Sequence, residues 1–176
     1  MLPIKHLSRW LVYTVMTLFI AHASAAPAPK IPNLNKCNNK NSLTVVPVQD
    51  LSFGDFDGAV AGTITVTPAG ARNSSGPDLA GGTVTPAAFD VSNLEPGCDI
   101  YPVQITLPGT ASLTGTGTPM LIDNFVSSPA SQFTLSPTPG QATRVFIGAT
   151  LNSGANQTSG GYTTVTPFDV TFDHIQ

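Results

Sequence analysis

The chain has 176 residues, a length suited to one domain, and only 10% of them are charged. Sixteen glycines and sixteen prolines are spread along it, and these residues break helices while the abundant threonine and valine favour pleated strands. Seven basic side chains stand against ten acidic ones, so there is no excess of positive charge to grip phosphate and nucleic acid is excluded as a partner.

The first segment reads as a secretory signal peptide over residues 1–25. Lys5 and Arg9 form a positive start, residues 11–20 (LVYTVMTLFI) an apolar stretch, and Ala23-Ser24-Ala25 a small-residue cleavage site, with the cut placed after Ala25. The apolar stretch falls well short of the roughly 20 residues that cross a bilayer, so no membrane span is expected after cleavage. The expected destination is outside the cytoplasm, through the periplasm to the cell surface or beyond. The mature chain keeps Lys30, Lys36, Lys40, Arg72 and Arg144 against all ten acids, a net charge of −5.

Residues 26–42 (APAPKIPNLNKCNNKNS) are rich in proline, asparagine and lysine and read as an extended arm. Its large apolar residues are Ile31 and Leu34, the candidate contacts of a donated strand. They lie three apart and so on opposite faces of a strand. Pro27, Pro29 and Pro32 remove amide donors on both edges, which suits a strand inserted between two others poorly. Cys37 and Cys98 are an even pair in an exported chain and predict a structural disulfide. The closed loop of about 62 residues makes such a bridge worth roughly 4 kcal/mol in the chain-entropy model.

From residue 43 to 176 the pattern predicts one β-sandwich domain of short strands. A first strand is placed at 43–48. Gly62, Ile64 and Val66 then alternate with Thr63, Thr65 and Thr67. A further strand is read across 83–91. Tyr101, Val103, Ile105 and Leu107 alternate with polar neighbours. Shorter strands follow at 120–126 and 133–135. Val145, Ile147, Ala149 and Leu151 form the next alternating run, and Phe168, Val170 and Phe172 the last. Turn signals punctuate these runs at Ala69-Gly70, Ser75-Gly76-Pro77, Gly81-Gly82, Pro96-Gly97, Pro108-Gly109, Pro139-Gly140 and Ser159-Gly160-Gly161. The expected fold class is all-β, an immunoglobulin-like or pilin-like two-sheet sandwich with no significant helix in the mature chain; a closed barrel is the alternative.

Chemistry is sparse. His174 is the one histidine left after cleavage, and it is expected to be exposed in a frayed terminus rather than catalytic. Asp55 and Asp57, two apart before Gly58, are weak calcium candidates, since the later ligands of a calcium loop are missing. The only glutamate is Glu95, in a turn, so paired acids for glycoside hydrolysis are not evident. No cofactor and no enzymatic activity are expected.

Leu51-Ser52-Phe53-Gly54, then Ala61-Gly62-Thr63-Ile64-Thr65-Val66, then Gly70-Ala71-Arg72 resemble the opening of a secreted bacterial family, domain of unknown function 4402. Ile105-Thr106-Leu107-Pro108 is similar to its central strand end. Phe146-Ile147-Gly148-Ala149-Thr150-Leu151, followed by Asn156-Gln157 and Gly160-Gly161-Tyr162, resembles its C-terminal signature. The resemblance covers about residues 43–175. Ala149 stands where the family often has a second glycine, and Phe172-Asp173-His174 differs from its usual aromatic close. The resemblance implies a sandwich like spore-coat and chaperone–usher pilin domains, and with it a structural, exported subunit.

Two functional expectations follow. In one, the chain is a structural or adhesive subunit of a cell-surface fibre or layer, assembled by strand donation from the arm. Its partners would be copies of itself or other fibre subunits, a periplasmic chaperone and an outer-membrane usher. In the other, the long segment from Tyr162 onward closes the sandwich within the same chain, giving a self-complete surface or biofilm-matrix domain. A carbohydrate-binding domain is a third, weaker reading.

Overall fold

A computed structural model of the chain describes residues 43–93, 102–136, 138, 140–164 and 168–175. These residues form thirteen β-strands and no helix, packed as a sandwich-like arrangement of sheets. The signal peptide, the arm with Ile31 and Leu34, both cysteines and Glu95 lie outside the described residues.

The main sheet runs β1 (Leu43–Gln49), β6 (Ala87–Asn93), β11 (Thr143–Ser153), β9 (Met120–Ser128), β8 (Ala111–Gly115), β12 (Tyr162–Thr164). β3 (Gly62–Val66) pairs with β11 and with β4 (Arg72–Ser75). A second sheet holds β10 (Gln132–Phe133), β7 (Val103–Thr106) and β13 (Thr171–His174), and a two-stranded ribbon holds β2 (Ser52–Phe56) and β5 (Leu79–Thr85). All the pairings are antiparallel.

β11 organises the main sheet because it serves three neighbours. Its first half, 143–147, pairs with β6, and its second half, 149–153, pairs with β3, while β9 runs along the other side. The exchange from β6 to β3 falls at Gly148. A Cβ there would sit 2.2 Å from the Val66 carbonyl oxygen, so only glycine lets the β3 backbone come this close. The alternation read from the sequence holds along β11: Val145, Ile147, Ala149 and Leu151 are all buried. The same is true of Ile64 and Val66 on β3, and of Val103 and Ile105 on β7. The two sheets meet where Phe89 of β6 packs on Phe172 of β13, ring centroids 5.9 Å apart.

Four sequence expectations are corrected. The single strand placed at 83–91 is two, broken at Pro86, where the chain leaves β5 for β6. Gly81-Gly82 is not a turn but lies inside β5, with φ of 120° and 75°, where the pairing with β2 slips register. Bulges of this kind admit left-handed glycines without ending the strand. His174 is not frayed: it sits in β13 opposite Val103 and is 4% exposed. The segment expected to supply one closing strand supplies two, β12 in the main sheet and β13 in the second.

Candidate functional site

The residues carrying the family-like motifs converge on backbone support. Arg72, at the start of β4, points its Nη1 at three carbonyl oxygens: Phe53 at 3.0 Å, Asp55 at 3.1 Å and Gly81 at 3.0 Å. One nitrogen with two hydrogens thus serves three acceptors across the β2–β5 bulge. Gly54, with φ 71°, makes room for it, since a Cβ there would lie 2.2 Å from that nitrogen. Tyr162 is buried and its hydroxyl donates within reach of Gln157 Oε1, 3.1 Å, and the Thr158 carbonyl, 2.9 Å. Asn156 and Gln157 donate their amides to the carbonyls of Ala59 and Gly58, tying the loop before β12 to the loop after β2. The guanidinium is therefore occupied by main chain, and the phenol by one main-chain carbonyl and one side-chain amide oxygen.

Asp55 and Asp57 sit at the end of β2. Asp57 Oδ1 accepts the Ala59 amide at 2.9 Å, a local turn cap, and the Asp57 amide donates to the Asp78 carbonyl at 2.8 Å. Asp55 is half-buried; its Oδ1 is enclosed and accepts no hydrogen bond from the described residues. Among the described residues no group of three or more His, Cys, Asp or Glu side chains could hold a metal ion. The calcium candidates are thus two carboxylates without a third.

One ion pair is well formed. Arg144 Nε and Nη2 each lie 2.8 Å from one carboxylate oxygen of Asp90, joining directly opposed positions of β11 and β6. The bidentate hydrogen bonds hold the Asp90 carboxyl below its ordinary value and raise the guanidinium.

A cleft of about 470 Å³ opens where the sheets part, between β8 on one side and β7 and β13 on the other. Its lining mixes apolar Leu107, Ala111 and Phe168 with hydroxyls such as Thr106 and Ser112. Asp169 is its one charged lining residue and is exposed. Phe168 is buried and held from below by Phe125 of β9, ring centroids 5.1 Å apart. β12 pairs with 113–115 of β8 and stops short of Ala111 and Ser112, so these two reach the cleft. Nothing in the residue pattern points to this cleft, because its lining comes from three strands and two loops whose meeting depends on the sheet order.

No helix among the described residues is long and apolar enough to cross a membrane. No curated protein and no solved structure matches the chain significantly. A family model does match, over residues 43–173, which takes in every strand from β1 to nearly the end of β13. By that match the chain belongs to the family described as a domain of unknown function, DUF4402.

Proposed function

We propose that this chain is an exported structural domain of the bacterial cell surface, a self-complete building or adhesive element with no catalytic role. The observation that carries the reading is the C-terminal segment. Phe168, Val170, Phe172 and His174 are all buried, and β12 and β13 add strands to both sheets from within the chain. A subunit that depends on a donated strand leaves such positions for its neighbour. Burial here favours the self-complete reading over strand insertion, as do the prolines of residues 26–36. Use of the family motif residues to brace the backbone supports a structural role. The signal-peptide pattern of residues 1–25 supports export.

The test is fractionation of a bacterium expressing the full chain with a C-terminal tag. The tagged protein is expected outside the cytoplasm with Ala26 as its first residue, folded and cooperatively melting without a chaperone. Recovery from the cytoplasm with the leader attached, or folding only with a partner bound, would refute the reading.

A further inference from the structure

β1 is a weakly held strand that covers core. Among the described residues β6 is its one partner in the main sheet. Pro47 takes an amide donor out of it, and the pairing slips register between Pro47 and Gln49. Yet Leu43 is 1% exposed, and Val45 packs against the buried cluster. At its far end the chain runs on into β2, where Ser52 and Phe53 are buried. At its near end β1 is held by the burial of Leu43 and by that residue's rung with Asn93. A peel starting there would uncover Val91 and Phe89 of β6, which stand opposite Val45 and Pro47.

The same rung leads to both cysteines. Cys37 lies six residues before Leu43, and Cys98 lies five residues after Asn93. In an antiparallel pair these two segments leave the rung in the same direction, so nearly equal lengths bring their ends level. Rung partners have Cα atoms about 4.5–5.5 Å apart, and one residue of offset adds about 3.3 Å along the strands. Segments keeping the ladder's course would thus set the two Cα atoms about 6 Å apart, inside the span a disulfide accepts. Cys98 belongs to the connection from β6 to β7, where the chain crosses from the main sheet to the second. Counting cysteines gives a pair; the register shows what a bridge between them would fasten.

We infer that a disulfide between Cys37 and Cys98 clamps the open end of β1 to the crossover between the sheets, and that reducing it frees β1 selectively. With the bridge, a peeled β1 remains a closed loop and gains little freedom. Without it the peeled strand has a free end. The bond forms by exchange with a small disulfide such as oxidised glutathione. One cysteine thiolate attacks it and expels a thiol; the second cysteine then attacks the mixed disulfide and expels the other. The protein loses two hydrogens and the oxidant becomes two thiols. The inference rests on the reading that the chain is exported, since an oxidising compartment keeps such a bond.

Hydrogen exchange resolved by peptide, on the protein beginning at Ala26, tests it in oxidised and reduced states. After refolding with a glutathione redox mixture, the chain is expected to show no titratable thiol in denaturant. It should weigh two hydrogens less than the reduced chain. Reduction should quicken exchange over residues 43–49 by about tenfold or more, at labelling times too short for 143–153 to exchange in either state. It should lower the melting temperature by about 8–16 °C. The double variant Cys37→Ser, Cys98→Ser should match the reduced protein with or without reductant, which separates the bridge from other effects of the reagent. Free thiols after oxidative refolding, a bridge found only between two chains, or exchange over 43–49 indifferent to reduction would overturn the inference. The protein is oxidised in vitro, so these outcomes are independent of the fractionation above, and loss of one conclusion is distinguishable from loss of the other.

Discussion

Arg72 shows how one side chain can hold a local distortion in place. Three carbonyls around the β2–β5 bulge accept from a single nitrogen, and such charge-assisted contacts are stronger than neutral ones. Arg72→Ala should cost about 2–3 kcal/mol in denaturant unfolding, because it leaves these acceptors partly enclosed and unserved. Gly54→Ala should cost a similar amount, since its Cβ would collide with the guanidinium and strain a residue at φ 71°. The double variant should be less damaged than the sum by about 1 kcal/mol, as the guanidinium it would strike is already gone. Simple additivity would mean that the two residues do not share one arrangement. The Asp90–Arg144 pair belongs to the same scale but acts through pH. The Asp90 carboxyl is held below its ordinary value by the hydrogen bonds from Arg144, so its contribution is present above the ordinary carboxylate range and is lost as pH falls through the lowered value. Both side chains are partly exposed, at 27% and 47%, and solvent screening keeps the effect small. Arg144→Gln should melt no more than about 3 °C below the parent at neutral pH, with the two curves converging as pH falls below the lowered Asp90 value.

At the scale of elements, the strands readable in the sequence are those with one buried and one exposed face. β3, β7 and β11 announce themselves by alternation, and their inward residues are indeed the buried ones. β4 (RNSS) carries no apolar residue, and β12 is three residues long, so neither gives a periodic signal. β2 was legible only as a motif, because four of its five residues are buried and the alternation disappears. β9 shows a bulge overriding parity. Ile122 is fully buried, yet Val126, on the same parity, is 54% exposed, while Phe125 packs against the core. Asn124, at φ 49°, lies in the register shift between Gly148 and Thr150 and reverses the facing of the residues after it. The candidate site was less legible than the fold, since the Arg72 contacts and the cleft depend on pairings distant in sequence. Gly148 offers the sharpest element-level test. Gly148→Ala would drive a Cβ into the backbone of β3, with the Val66 oxygen at 2.2 Å and the Thr67 carbonyl carbon at 2.7 Å, and should cost about 3 kcal/mol. Gly109→Ala, where a Cβ meets nothing within 4 Å, should change stability by less than about 0.5 kcal/mol. Equal effects at the two sites would remove the argument that Gly148 sets the exchange from β6 to β3.

For the whole molecule, the question is whether the chain closes its own sandwich. β13 is four residues long, but its burial links both sheets: Phe172 reaches Phe89 of β6, and His174 sits against the Val103 end of β7. Substituting one buried phenylalanine by alanine typically costs about 3–5 kcal/mol, a large share of the roughly 5–15 kcal/mol that stabilises a whole domain. Phe172→Ala should therefore lower unfolding stability by about that amount while leaving a cooperatively melting protein. Removing residues 171–176 should be far worse. It strips β7 of one of its two partners and exposes Val103, Ile105 and Phe89 together, which leaves an apolar sheet edge of the kind that aggregates or recruits another strand. The truncated protein should fail to melt cooperatively, and a synthetic peptide of the deleted residues should restore part of the lost structure. A truncated chain that stays soluble and melts like the parent would show that β13 merely lies on a sandwich already complete, and that the C-terminal segment does not close it.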